Sequence, residues 1–232
     1  MSIPPCIILC GGIGSRLGDI VKETPKCLVL LNKKPFLYYQ LKLLQEAGVK
    51  KIILCTGYLS TQVDKFVNDL DIEIEILISA DGDNPLGTGG AVKKALDLVD
   101  GPAFVTYGDT LLDTSYKDIY KQYKKLSKHN PLMVIYQNNM QFDASNVYLH
   151  KGKIIYKKQN PHVDSKYIDY GLSIFSKDDF IDFKDSFDLS EAQEDFSKNG
   201  SLAYYEAKKR FYEIGTPASL LEAENYLLKN DY

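Results

Sequence analysis

The residues with the strongest chemical implication stand near the start of the chain: Leu9-Cys10-Gly11-Gly12-Ile13-Gly14-Ser15-Arg16-Leu17, with Thr24-Pro25-Lys26 shortly after. Glycines placed directly after an apolar run let backbone N–H groups approach phosphate oxygens closely, and a helix opening behind them would add its positive N-terminal end. Arg16 offers a planar fork for the outer phosphates of a triphosphate, and Lys26 a mobile point charge for the reacting phosphate. The set therefore predicts an anion cradle. It lacks the Gly-x-x-x-x-Gly-Lys-Ser/Thr order of a P-loop, and the apolar run 51–56 ends at Gly57 without the acidic residue that a dinucleotide-binding fold uses to hold a ribose.

The elements that must position these residues follow from patterning. Residues 3–10 form an apolar run suited to a strand buried on both faces, giving strand, glycine loop and helix as the opening. Pro35 is expected at the first position of a helix over 36–44, with Gly48 as its stop. Strands at 51–56, 73–78 and 102–107 then alternate with helices at 60–70 and 88–99, a rhythm that implies parallel crossovers. After Tyr107 one more helix (115–128) and strand (131–137) precede runs too close together to hold helices. Residues 146–150 and 153–158 flank a Lys151-Gly152 hairpin turn, 167–175 is a further strand, and a short strand at 210–214 leads to a helix opened by Thr216-Pro217. The second half is thus expected to be mixed in strand direction. No repeat or linker divides the chain, so residues 1–232 are expected to form a single domain, with a nucleotide-binding half over about 1–110 and an acceptor-binding half over about 111–232.

Composition limits the function classes. The 232 residues carry 28 Lys+Arg against 31 Asp+Glu, a formal net charge of -3. The basic residues are scattered, which leaves no electrostatic footprint for duplex nucleic acid or an anionic membrane. No run approaches the roughly 18 apolar residues of a membrane helix. A cytoplasmic protein without a processed leader is the expectation. Cys6, Cys10, Cys27 and Cys55 include no C-x-x-C pair and read as buried free thiols. His129, His150 and His162 are too far apart in sequence to suggest a local metal site, and none is given a catalytic role.

The run Leu-Cys-Gly-Gly-x-Gly-Ser-Arg-Leu with Thr-Pro-Lys downstream resembles the signature of the sugar-phosphate nucleotidylyltransferases, and within them the bacterial heptose 1-phosphate guanylyltransferase type. Later motifs follow in the family's order: Pro85-Leu-Gly-Thr-Gly-Gly-Ala91, Tyr107-Gly-Asp109, Ile168-Asp-Tyr-Gly171 and Tyr212-Glu-Ile-Gly-Thr-Pro217. The resemblance implies a three-layer α/β/α, Rossmann-like (GT-A-like) fold around a mixed, mainly parallel sheet. It assigns nucleotide contacts to Leu9, Gly11, Gly12, Gly14, Ser15, Pro85, Gly87 and Thr88, and catalytic roles to Arg16 and Lys26. Asp109 and Glu213 become ligands of Mg2+, a hard ion that prefers carboxylate and phosphate oxygens. Many family members carry Asp where this chain has the longer Glu213. Tyr107, Lys158, Asp169 and Gly171 would face the acceptor; Lys157 stands where the family has an acidic residue, which leaves open which lysine meets the acceptor phosphate.

The activity implied is attack of a sugar 1-phosphate oxygen on the α-phosphorus of a nucleoside triphosphate, GTP favoured, giving a nucleotide sugar for surface polysaccharide and releasing pyrophosphate. The acceptor phosphate is already ionised, so alignment and charge neutralisation carry the reaction and no general base is required. Two alternatives stand beside it: transfer, for example from CTP, to a non-sugar phosphate, and a non-catalytic nucleotide or sugar-phosphate sensor. The base, the sugar and the oligomeric state are left open, a homodimer included.

Overall fold

A computed structural model describes residues 2–12, 14–82, 84–126 and 130–230; the side chains of residues 15, 16 and 20 also lie outside the described set. The strands in chain order are β1 (Cys6–Leu9), β2 (Leu30–Leu31), β3 (Lys34–Pro35), β4 (Lys51–Thr56), β5 (Glu75–Ala80), β6 (Ala103–Tyr107), β7 (Thr110–Leu111), β8 (Leu132–Gln137), β9 (Val147–His150), β10 (Lys153–Tyr156), β11 (Tyr167–Phe175), β12 (Ala203–Glu206) and β13 (Tyr212–Glu213). The α-helices are α1 (Phe36–Glu46), α2 (Ser60–Asn68), α3 (Gly87–Leu96), α4 (Tyr116–Tyr123), α5 (Leu189–Asn199) and α6 (Pro217–Lys229).

One nine-stranded mixed sheet runs through both halves of the chain. Its first half, β5-β4-β1-β6, is parallel. β11 then pairs antiparallel to β6, β8 pairs antiparallel to β11, and β12 lies parallel to β8. The β9–β10 hairpin joins at the end of β11. Its Lys151-Gly152 turn takes φ of 48° and 77°, the twist a tight hairpin requires.

Alternation in the central strands builds the three layers. Cys6 and Ile8 of β1 and Ile52 and Leu54 of β4 face Leu37, Leu41, Val63 and Ile119, from α1, α2 and α4. Ile7, Ile53 and Cys55 face Val92, Leu189 and Phe196, from α3 and α5. Because both sheet faces are covered, these strands read in sequence as continuous apolar runs rather than alternating ones. A third cluster closes α6 over α1 and β2 through Phe36, Tyr39, Leu31 and Leu227.

Three expectations are corrected. Pro35 is the residue before α1 rather than its first helical residue, because it is extended (ψ 142°) and pairs with Leu30 in the β2–β3 hairpin. No α-helix follows the first glycine loop: residues Ser15–Val21 form a 3₁₀ segment broken at Gly18 (φ 58°, ψ -127°), so a regular helix terminus does not point at the cradle. The helix expected over 115–128 is shorter: α4 is opened by Ser115 accepting from the Asp118 N–H and ends at Tyr123, while Ser127, Lys128 and His129 lie outside the described residues. The four cysteines are buried and free, as their sequence context implied.

Candidate active site

Two cavities meet at the C-terminal end of β6. The first, about 280 Å³, takes its floor from the end of β1 and the glycine loop, Leu9, Gly11 and Gly12, and its wall from Pro85, Gly87 and Thr88 at the start of α3. The second, about 260 Å³, is lined by Asn146, Lys158, Asp169, Gly171 and Glu213 among others. Tyr107 and Asp109 line both cavities. Open parallel sheets present ligands beyond the carboxyl ends of their strands, and these cavities occupy that edge.

Lys26 and Asp109 stand at the junction. Lys26 projects from a single 3₁₀ turn, Lys26–Leu28, which is anchored by the burial of Cys27 and Leu28. Its Nζ donates to Asp109 Oδ2 at 2.5 Å, with the lysine side chain only 11% exposed and the aspartate 30%. Thr110 Oγ1 donates to the other carboxylate oxygen, Oδ1, at 3.1 Å. Gly14 explains part of this placement: it has φ of +69°, and a Cβ there would meet the Lys26 side chain at 3.1–3.3 Å. A side-chain residue at 14 would be strained and would push the lysine aside.

The turn that carries Asp109 is held from three directions. Gly108 N–H donates to the Leu9 carbonyl (2.9 Å), and Ile214 N–H to the Asp109 carbonyl (3.0 Å). From α1, the buried Gln40 donates its amide to the Tyr107 carbonyl (2.9 Å) and the Thr110 carbonyl (2.6 Å), bracketing Gly108-Asp109. Beyond the turn, β7 pairs antiparallel with β13 and sets Glu213 opposite Thr110. Two carboxylates separated by about a hundred residues of sequence thereby reach one rim.

The second cavity centres on Asp169. β11 carries a bulge between Asp169 and Ser173, with Gly171 at φ +80°, and the Gly171 carbonyl accepts from Thr106 Oγ1 at 2.8 Å. The extra residues turn the strand so that the Gly171 N–H donates to Asp169 Oδ1 (3.0 Å). Burial pushes the Asp169 carboxyl up from its ordinary 3.8 to about 6, against the opposing pull of the Gly171 N–H, the Gln193 amide and the Lys158 charge. The Tyr107 phenol is likewise held above its ordinary range, by burial first and then by Asp169, Asp188 and Asp109. Lys158 reaches this cavity and donates to Asp188 Oδ1 at 3.3 Å; Lys157 is not among the lining residues.

Most sequence-expected residues are thus brought together, with three qualifications of place. Gly14 lies behind Lys26 rather than on the cavity lining, and the side chains of Ser15 and Arg16 lie outside the described residues. Gly89 and Gly90, part of the second glycine motif, are buried under the segment 185–187: a Cβ on Gly90 would stand 2.1 Å from the Asp185 carbonyl oxygen. Pro85, Gly87, Thr88 and Ala91 of that motif line the cavity, and the Thr88 hydroxyl accepts from the Leu189 N–H (2.8 Å). Sequence reasoning missed Gln40, Asn146 and Asp81, which lines the first cavity and accepts from the Leu86 N–H at 3.3 Å. Gln40 had a legible signal, a lone amide among the apolar residues of a buried helix face; Asp81 and Asn146 had none.

Among the described residues, no group of three or more His, Cys, Asp or Glu is placed to hold a metal. The pair Asp109 and Glu213 nevertheless suits a hard cation that draws its remaining oxygen ligands from phosphate and water. Asp109 already receives a positive charge, that of Lys26, at the same carboxylate.

A sheet of this order with cavities at this edge defines the Rossmann-like nucleotidyltransferase fold. The crystal structure of HddC from Yersinia pseudotuberculosis complexed with GMP-PN superposes with a TM-score of 0.77 at 24% identity, covering 97% of this chain and 99% of that one. A putative glucose-1-phosphate thymidylyltransferase from Bacillus anthracis gives 0.81 at 20% identity, covering 96% and 94%. The family model described as Nucleotidyl transferase matches residues 6–230, and the chain belongs to that family. Among its relatives, D-glycero-alpha-D-manno-heptose 1-phosphate guanylyltransferase of Campylobacter jejuni is 31% identical over 221 residues, 91% of this chain and 94% of the relative. Mannose-1-phosphate guanyltransferase beta-A of Xenopus laevis is 30% identical over 93% of this chain and 62% of its own length.

Proposed function

We propose that the chain transfers a nucleoside monophosphate from a nucleoside triphosphate, with GTP favoured, to a sugar 1-phosphate, forming a nucleotide sugar and releasing pyrophosphate. The observation that carries this reading is the Lys26–Asp109 pair at the wall shared by the two cavities. The reaction joins two substrates at one phosphorus, so it requires a junction of this kind, with charge at the point of contact. The guanylyltransferase relatives support the choice of base and of a sugar phosphate as acceptor.

In this reading residues up to about 110 hold the triphosphate and residues from about 111 hold the acceptor, as parts of one domain. Leu9, Gly11, Gly12, Gly14, Ser15, Pro85, Gly87 and Thr88 form the nucleotide side. Arg16 neutralises the departing pyrophosphate, and Lys26 the α-phosphate as negative charge shifts across it. Asp109 and Glu213 hold Mg2+, which when bound supplies charge neutralisation to the phosphates. Tyr107 separates the two substrates, Lys158 faces the acceptor phosphate, and Asp169 with Gly171 faces sugar hydroxyls. The expected setting is the cytoplasm, in the supply of activated sugar for surface polysaccharide. No helix among the described residues is long and apolar enough to cross a membrane.

Pyrophosphate release with Mg2+, measured for GTP, CTP, UTP and ATP against sugar 1-phosphates and non-sugar phosphates, tests the reading. Turnover with a sugar 1-phosphate, and with GTP first among the bases, is the expected result. Turnover confined to non-sugar acceptors would replace it, and triphosphate binding without pyrophosphate release from any pair would make the chain a sensor.

A further inference from the structure

Asn146 lines the acceptor cavity with one half of its side-chain amide tied to backbone and the other half without a hydrogen-bond partner among the described residues. It stands just before β9, where its backbone N–H donates to the Tyr167 carbonyl (3.0 Å) and its carbonyl accepts from the Lys157 N–H (3.1 Å). Its Oδ1 accepts from the backbone N–H of Asp169 at 2.9 Å. An N–H group can be met only by the amide oxygen, so the side-chain orientation is fixed by chemistry and Nδ2 is the atom left over. Among the described residues no hydrogen bond from Nδ2 is found, while Asn146 and Asp169 both line the cavity.

The preceding loop makes this placement rigid. Asn138, fully buried, donates to the Asp143 carbonyl (2.7 Å) and Ser145 Oγ (3.0 Å) and accepts from the Phe142 N–H (3.2 Å). Ser145 Oγ in turn accepts from the Met140 N–H (3.1 Å). A donor held this way needs little ordering when a ligand arrives. The neighbouring Asp169 carboxylate supplies the opposite polarity: among the described residues Oδ1 takes one N–H, from Gly171, and Oδ2 only a long contact from Gln193 (3.4 Å). Acceptor capacity therefore remains on Asp169 beside donor capacity on Asn146.

We propose that Asn146 is a specificity-determining residue for the acceptor, donating through Nδ2 to a ring hydroxyl that in turn donates to Asp169. This rests on the sugar 1-phosphate reading of the cavity and deepens it. A site built this way selects acceptors that carry a hydroxyl at that one place and rejects those that lack it, because the deoxy analogue leaves both protein groups without partners.

The test is a cycle between protein and acceptor. The whole chain and its Asn146→Asp and Asn146→Gly variants are compared for kcat and KM with a sugar 1-phosphate and its monodeoxy series, at saturating triphosphate and Mg2+. Asn146→Asp keeps an oxygen for the Asp169 N–H while removing the donors, so it separates recognition from loop support and carries the test if the glycine variant fails to fold. One monodeoxy acceptor is expected to lose roughly 10–100-fold in kcat/KM with the unmodified chain, mostly through KM, and that loss should shrink to about 3-fold or less in the variants. Equal losses for every deoxy acceptor, with and without the Asn146 amide, would overturn the assignment and leave the transferase reading standing. A chain that turns over no sugar 1-phosphate at all would overturn both.

Discussion

The two cavities that share Tyr107 and Asp109 are built in opposite ways. The first is lined by contiguous glycine-rich segments at the ends of β1 and β5, where backbone does much of the work and side chains must stay small. The second is assembled from side chains that arrive from β6, β7, the loop before β9, the ends of β10 and β13, and the bulge in β11. A cavity of backbone suits a ligand whose phosphates are always the same. A cavity of scattered side chains can change its acceptor by substitution at single positions, leaving the phosphate-handling half intact.

That contrast is most easily broken at the junction. Asp109→Asn keeps the shape but removes the charge that both Lys26 and a bound cation would meet. Turnover is expected to fall by about 10²–10³-fold, read as pyrophosphate release, with Tm shifted by only a few degrees. A variant that retained ordinary turnover would remove Asp109 from the site.

On the nucleotide side, Gly90→Ala should act through folding. Its Cβ would lie 2.1 Å from the Asp185 carbonyl, so the segment 185–187 must move off α3. A loss of about 3 kcal/mol is expected, seen as a Tm lower by roughly 5–10 °C. An unchanged melt would show that this motif tolerates side chains and that its glycines serve the ligand alone.

On the acceptor side the expected signal is pH dependence. With the Asp169 carboxyl at about 6 in the folded chain against an ordinary 3.8, the native state holds the extra proton between these values. This group's contribution to stability is therefore present at low pH and is lost as pH rises from about 4 through 6, the reverse of an ion-paired aspartate. Acceptor kcat/KM should fall below about pH 6 as the carboxylate is protonated, while triphosphate affinity shows no such limb. Asp169→Asn should abolish both trends, and a profile identical to that of the parent chain would assign the limb to another group.

The same contrast explains what could be read from the sequence. The parallel strands, the first glycine loop and Asp109 were legible because each is local: an apolar run buried on both faces, a glycine cluster at its end, a carboxylate after a strand. Lys158, Asp169 and Glu213 needed the family resemblance, since their meeting depends on strand pairings between distant segments. β2, β3 and β7 are two residues long, too short to show a period, whereas β13 falls within the short strand expected at 210–214. Residues Ser15–Val21 misled because apolar spacing does not reveal a break at Gly18. Asn146 was invisible for a different reason: its significance lies in which of its atoms are already satisfied.

The most direct test of the central claim is single-turnover nucleotidyl transfer by Lys26→Ala, with triphosphate affinity measured separately on the same protein. The account predicts a chemical step slower by about 10²-fold or more, with triphosphate still bound and the fold intact, because charge is removed where the two cavities meet. A chemical step at the rate of the unmodified chain would contradict it and place the transfer elsewhere.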